Sequence, residues 1–176
     1  MESAQKEIEA LAIAYGVDRG ALPVRKEVSS AILALSLETP AGWVVVDNSG
    51  QIIVLPSGGI WQISPDSLGP RQWGLGSALR IRRLRNPPEM DLSTAVTRAG
   101  ALLGGLGNLS GERAEMIAGI SAAGQVRLDD ATDWQVKVVI AIRGEFTYLF
   151  EAGHPAQDSG AAEEFDQVLA SVKFQN

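Results

Sequence analysis

Cysteine is missing from this 176-residue chain, and histidine occurs once, at His154. The first absence excludes thiolate zinc sites, disulfide frameworks, thiol nucleophiles and cysteine-ligated iron–sulfur clusters together. It leaves the compartment open, because cysteine-free chains work on either side of a membrane. Long apolar runs are missing too. The most continuous, residues 44–46 and 138–142, have strand length, far short of the roughly 20 residues that cross a bilayer as a helix. No integral membrane segment is expected. Excess positive charge is also lacking: 15 Lys and Arg against 21 Asp and Glu leave a formal charge of −6, the wrong sign for a general polyanion binder. Nucleic acid is therefore not an expected partner. Met1 is followed by Glu2, Glu7 and Glu9 instead of a basic segment and an apolar stretch, so no signal peptide is expected in this chain.

What is present supports one folded domain. Apolar residues make up 45% of the chain, and surface scaling implies that about 69% of the unfolded surface is buried at this size. Ile8, Leu11, Ala12 and Tyr15 recur at helical spacing, and Gly16 stops them. This predicts an N-terminal helix and linker over 1–29 and a core domain over 30–176. From 31 to 63 the period is that of strands, broken by turns at Pro40-Ala41-Gly42, at Asp47-Asn48-Ser49-Gly50 and at Pro56-Ser57-Gly58-Gly59. Residues 64–77 hold enough glycine and proline for a long loop, and Trp73 lies in it. A strand over 78–85 then ends at Asn86-Pro87-Pro88. A helix capped by Asp91 or Ser93 follows, ended by Gly104-Gly105.

Strands over 112–120, 125–128, 135–142 and 145–151 come next, with turns at 121–124, 129–133 and Arg143-Gly144. Residues 153–160 read as a loop, 161–170 as a helix, and 172–174 as a closing strand. Strands, helix, strands, helix, strand is the order of an antiparallel α+β sheet, not of a regular strand–helix alternation.

Two stretches carry a family resemblance. Gly144-Glu145-Phe146-Thr147-Tyr148-Leu149-Phe150-Glu151, a loop, and Phe165-Asp166-Gln167-Val168-Leu169-Ala170-Ser171-Val172-Lys173-Phe174 resemble the closing pattern of the PsbP-like superfamily: an aromatic-rich strand, a helix and a strand with serine between apolar residues. Leu35-Ser36-Leu37-Glu38-Thr39-Pro40-Ala41-Gly42-Trp43 resembles its opening strand and "Pro-x-Gly-Trp" turn. The resemblance implies an α/β/α sandwich around a twisted, mainly antiparallel sheet. It also implies a non-catalytic binding or assembly role, since the superfamily includes photosystem II extrinsic proteins, a Ran-binding protein, bacterial lipoprotein domains and adaptor chaperones for secreted effectors. No counterpart of the acidic and histidine metal sites of some members is evident, so no metal or cofactor is carried over.

The candidate sites separate by chemistry. A hydrolase using His154 needs a serine and an orienting carboxylate, and no Gly-x-Ser-x-Gly elbow is present. An exposed loop histidine, or a cap on the following helix, is the simpler reading. A cation on His154, Glu151 and Asp158 lacks diagnostic spacing. The acids Asp129, Asp130 and Asp133 lack the glycine and distal glutamate of an EF-hand loop, and the glycines between 100 and 111 lack the following Lys-Ser or Lys-Thr of a phosphate cradle. They read as turn chemistry.

Charge distribution is more telling. No acid occurs between Asp66 and Glu89, whereas Arg71, Arg80, Arg82, Arg83 and Arg85 supply five of the fifteen basic residues, and residues 129–166 hold nine acids. Strand alternation puts Arg80 and Arg82 on one face and Arg83 and Arg85 on the other with Ile81. A charged edge strand protected against aggregation is the plain reading. The functional one is a cationic rim in which Arg71, Trp73, Arg80, Arg82, Arg83 and Arg85 dock an acidic protein partner, arginine and tryptophan being common interface anchors. An adaptor chaperone with a hydrophobic groove is a further reading, and it requires an exposed apolar sheet face.

Overall fold

A computed structural model describes residues 25–40, 42–48, 50–55, 77–102, 110–129 and 134–175. The expected N-terminal helix, the strand expected after the turn at 56–59 and residues 64–76 of the expected loop lie outside them. Within them, the chain makes ten strands and two helices: β1 (Lys26–Ser30), β2 (Leu35–Thr39), β3 (Val44–Asn48), β4 (Gln51–Leu55), β5 (Ala78–Arg85), α1 (Leu92–Leu102), β6 (Ser110–Ile117), β7 (Ile120–Asp129), β8 (Trp134–Arg143), β9 (Phe146–Pro155), α2 (Ser159–Ala170) and β10 (Lys173–Phe174).

Seven strands form one antiparallel sheet in the order β3-β4-β5-β9-β8-β7-β6, and a small sheet has the order β1-β2-β10. The pleat sends alternate side chains of each strand to opposite faces, and each face has its own cover. On one, Ile52, Ile81, Phe150 and Val139 pack with Phe165 and Val168 of α2 and with Leu35 and Leu37 of β2. On the other, Val136, Val138, Ile140 and Leu149 meet Ala95 and Ala99 of α1. Helices on both faces of the seven-stranded sheet make the expected α/β/α sandwich, and the small sheet extends the α2 layer.

Local chemistry sets the corners. Asp91 accepts a hydrogen bond from the Thr94 amide at 2.7 Å and caps α1. That bond holds its carboxyl below the ordinary carboxylate value. Asp158 caps α2, its side chain accepting from the Ala161 amide at 3.0 Å. Arg143 pairs with Phe146, so only Gly144 and Glu145 turn the β8–β9 hairpin, with Gly144 at φ 57°.

Several boundaries differ from the expectation. Residues 26–29, assigned to the linker, pair with β2 as β1. The strand expected from position 31 starts only at Leu35, because 31–34 form a turn with Ala34 at φ 51°. The expected turn over 121–124 is continuous strand. Ala118 and Gly119, both at positive φ, make the turn instead and fix Ile117 opposite Ile120. Finally, the segment Gly153-His154-Pro155 is the end of β9, not a loop.

Candidate partner-binding surface

The arginine-rich strand β5 is not an edge. It lies between β4 and β9 in the interior of the sheet. Its charges therefore answer to neighbours on both sides, and the two faces answer differently.

On the α1 face, register places Arg80 opposite Glu151 of β9. Arg80 grips that carboxylate through two bonds, Nε to Oε2 and Nη2 to Oε1, each 3.0 Å. Arg82 donates Nε to Oε2, also at 3.0 Å. Glu151 is 1% exposed, and the two arginines 12% and 20%. Burying a carboxylate is tolerable only with such charge-assisted bonds. Desolvation pulls the Arg80 guanidinium below its ordinary value; attraction to Glu151 opposes this, and neighbouring Arg82 adds to the lowering. Arg82 Nη2 is buried without a hydrogen-bond partner. This half of the strand is a buried Arg–Glu–Arg cluster in place of the solvated charge expected from the sequence.

On the opposite face, Arg83 and Arg85 reach the end of the sheet. The Arg83 guanidinium lies 4.2 Å from the centre of the Phe146 ring. Arg85 is paired at 3.2 Å with Glu145, and both side chains are largely exposed, 77% and 72%. The Asn86 amide donates to the Glu145 carbonyl at 2.8 Å, which holds the end of β5 against the hairpin. Two arginines overlooked in the sequence join them. Arg143 stacks 5.1 Å from the Phe174 ring and donates to the Gln175 carbonyl at 2.7 Å. Arg98, from α1 on the other face, donates to the Arg85 carbonyl at the end of the strand at 3.5 Å. Arg143 was legible as the residue before a tight hairpin, but only register shows that it lands beside Phe146. Arg71 and Trp73, the other candidates for this surface, lie outside the described residues.

His154 is corrected from exposed to buried, at 3% exposure. Its Nδ1 is 2.8 Å from the Pro155 carbonyl and its ring lies 6.5 Å from that of Phe165. It does not cap α2; Asp158 does. Alternation along β9 also separates the His154, Glu151 and Asp158 trio considered for a cation, since Glu151 points to the α1 face and His154 to the α2 face. Among the described residues, no group of three or more His, Asp or Glu is placed to hold a metal ion. Nor is any helix among them long and apolar enough to cross a membrane. Asp130 and Asp133 lie outside the described residues.

With the geometry in place, the fold can be set beside known structures. No family model matches the chain, and no curated protein sequence matches it. Solved structures do. The cyanobacterial PsbP (CyanoP) of Synechocystis superposes with a TM-score of 0.58 at 13% identity, over 89% of this chain and 96% of that one. The Ran-binding protein Mog1p of Saccharomyces cerevisiae does so at 0.55 and 14% identity, over 86% and 96%. A structure from Bacteroides thetaiotaomicron matches at 0.54 and 14%, but there this chain spans about half, 48%, of the other's length. The chain has the PsbP-like fold, an α+β sandwich shared with proteins of very different sequence.

Proposed function

We propose that this chain is a non-enzymatic binding domain, an accessory or assembly factor that docks a protein partner through the arginines of β5 and the segment carrying Arg71 and Trp73. The observation that carries this reading is the concentration of guanidinium groups around β5 in a chain whose net charge is −6. Arg83 and Arg85 present theirs at the end of the sheet, where an acidic surface meets them without crossing the fold. Arg80 and Arg82 hold β5 to β9 through Glu151, so their part is to position the strand. One of the similar folds points the same way, being named a Ran-binding protein.

The hydrolase alternative uses His154, whose buried ring packs near Phe165. His154→Ala tests it: the binding reading expects weakened folding with partner binding retained, whereas loss of a substrate-dependent activity in a folded variant supports catalysis. The chaperone reading has one observation in its favour, a cleft of about 640 Å³ whose lining joins Leu92, Ala114, Met116 and Ala123 to the polar Glu115 and Ser121, and in which Met116 is 61% exposed. Met116→Glu separates the two readings. It abolishes partner binding if the cleft is the seat, and leaves it intact if the arginines are.

A further inference from the structure

The register of β5, β9 and β8 brings together a feature that strand periodicity alone did not show. Arg85 pairs with Phe146, and Phe146 pairs with Arg143. These three positions form one row across the sheet, all on the α2 face, at its hairpin end. Adjacent strands lie about 4.8 Å apart, so the two arginines stand roughly 10 Å apart at the backbone with the phenylalanine between them. Arg83 covers the Phe146 ring from the next row, and Phe174 of β10 meets Tyr148 edge-on, with ring centres 4.8 Å apart, while carrying Arg143. Phe146 and Phe174 are each only partly buried. Three guanidiniums thus surround two half-open aromatic rings, and the carboxylate facing Arg85 is the exposed Glu145 of the hairpin itself.

We infer that this row is a docking strip for an extended acidic segment of a partner protein, with an aromatic or apolar side chain flanked by two carboxylates at alternate positions. In an extended chain, alternate side chains share a face about 7 Å apart. An apolar residue over Phe146 therefore sets its flanking acids over Arg85 and Arg143, within the reach of those long side chains. Arginine suits this role twice over, because its planar fork binds carboxylates and its face stacks on rings. Glu145 occupies part of the strip as an internal stand-in for the incoming carboxylate and is displaced when the segment binds. The inference rests on the binding role proposed above and specifies its seat and the chemistry of its partner.

The probe is a fluorescein-labelled peptide of sequence Gly-Glu-Ser-Phe-Ser-Glu-Gly, followed by anisotropy with the full chain. Binding is expected at low salt and is expected to weaken severalfold between about 50 and 300 mM salt, as screening shortens the Debye length. Arg85→Gln and Arg143→Gln each weaken it by about two- to fivefold, the range of exposed ion pairs. Glu145→Gln tightens it by a similar factor. Peptides with glutamine for glutamate, or serine for phenylalanine, bind more weakly. Arg85 is largely exposed, so its variant folds, and circular dichroism confirms this. Equal binding of the glutamate and glutamine peptides, or no effect of Glu145→Gln, overturns the strip. If a natural partner stays bound to an Arg83→Gln, Arg85→Gln, Arg143→Gln variant, the strip is the wrong seat although the binding role stands; if the wild type recovers no partner, the role itself fails.

Discussion

Glu151 is the place where the account of strand β5 is most exposed to measurement. Substitution by glutamine keeps its volume and removes the charge shared by Arg80 and Arg82. Removing one partner from a buried ion pair costs about 3–5 kcal/mol, because the remaining charge is left without compensation. The arginines keep 12% and 20% of their side-chain exposure, and the water reaching them lowers the figure to roughly 2–4 kcal/mol. At about 2–4 °C per kcal/mol for a chain of this size, the melting temperature falls by roughly 5–15 °C. In urea, with a slope of about 2 kcal/mol per molar, the midpoint falls by about 1–2 M while the slope is unchanged. Replacing the whole cluster with Arg80→Met, Arg82→Met and Glu151→Leu is expected to recover most of this, to within about 1–2 kcal/mol of the wild type, because apolar groups need no compensating charge. A Glu151→Gln variant within about 0.5 kcal/mol of wild type, or a triple variant no better than the single one, would refute the reasoning.

Other consequences are open to simpler tests. Tyr148 Oη donates to the buried Leu33 carbonyl at 2.9 Å, so Tyr148→Phe is expected to lose about 1–2 kcal/mol in urea unfolding, and an unchanged midpoint contradicts the bond. A Cβ on Gly124 meets Glu115 Cγ at 2.4 Å, and the Glu115 carboxylate lies 3.5 Å from Lys137. Gly124→Ala is therefore expected to cost about 1–2 kcal/mol, and a second change, Glu115→Ala, to restore much of it; additive losses refute the overlap. The Asp91 carboxyl is held below its ordinary value by the Thr94 amide. Its contribution is full above the unfolded-state value and is lost as pH falls through the lower folded-state one. The stability gap between wild type and Asp91→Asn should shrink on acidification, and a gap constant across the acid range contradicts the capping role.

The sequence revealed the layered fold where apolar alternation and turn residues agreed, as in β5, α1 and the β8–β9 hairpin. It failed where the two signals parted. β1 is polar and mostly exposed, so it shows no apolar alternation; only its ladder to β2 defines it. Residues 31–34 mimic a strand because Leu33 is wholly buried, yet that burial comes from lying over the core in a turn, with its carbonyl accepting from Tyr148. Gly124 reads as a breaker but sits in a strand beneath the Glu115 side chain. Pro155 suggests a loop, but β5 pairs with β9 only as far as Gly153. Positions 154 and 155 therefore pair on one side alone, where proline is tolerated.

The candidate surface was legible in part, for the same reason. The excess of arginine and its split between two faces follow from the order of residues. The roles do not, because they depend on what another strand places opposite: Glu151 beside Arg80, and Phe146 beside Arg85. A lone acid in the otherwise apolar run of β9 was the available sign of a buried ion pair. Phe146 and Phe174 carried no comparable sign, since an aromatic residue near a strand end serves a core equally well.

The central claim is that the arginine-bearing end of the sheet is a seat for a protein partner, and the most direct measurement is comparative co-purification from the native source at low salt. Wild-type chain and the Arg83→Gln, Arg85→Gln, Arg143→Gln variant are recovered in parallel, and associated proteins are identified by mass. The account predicts a defined partner held by the wild type, lost from the folded variant and released as salt is raised. A wild-type chain that recovers alone, or a partner held equally by both and indifferent to salt, contradicts it.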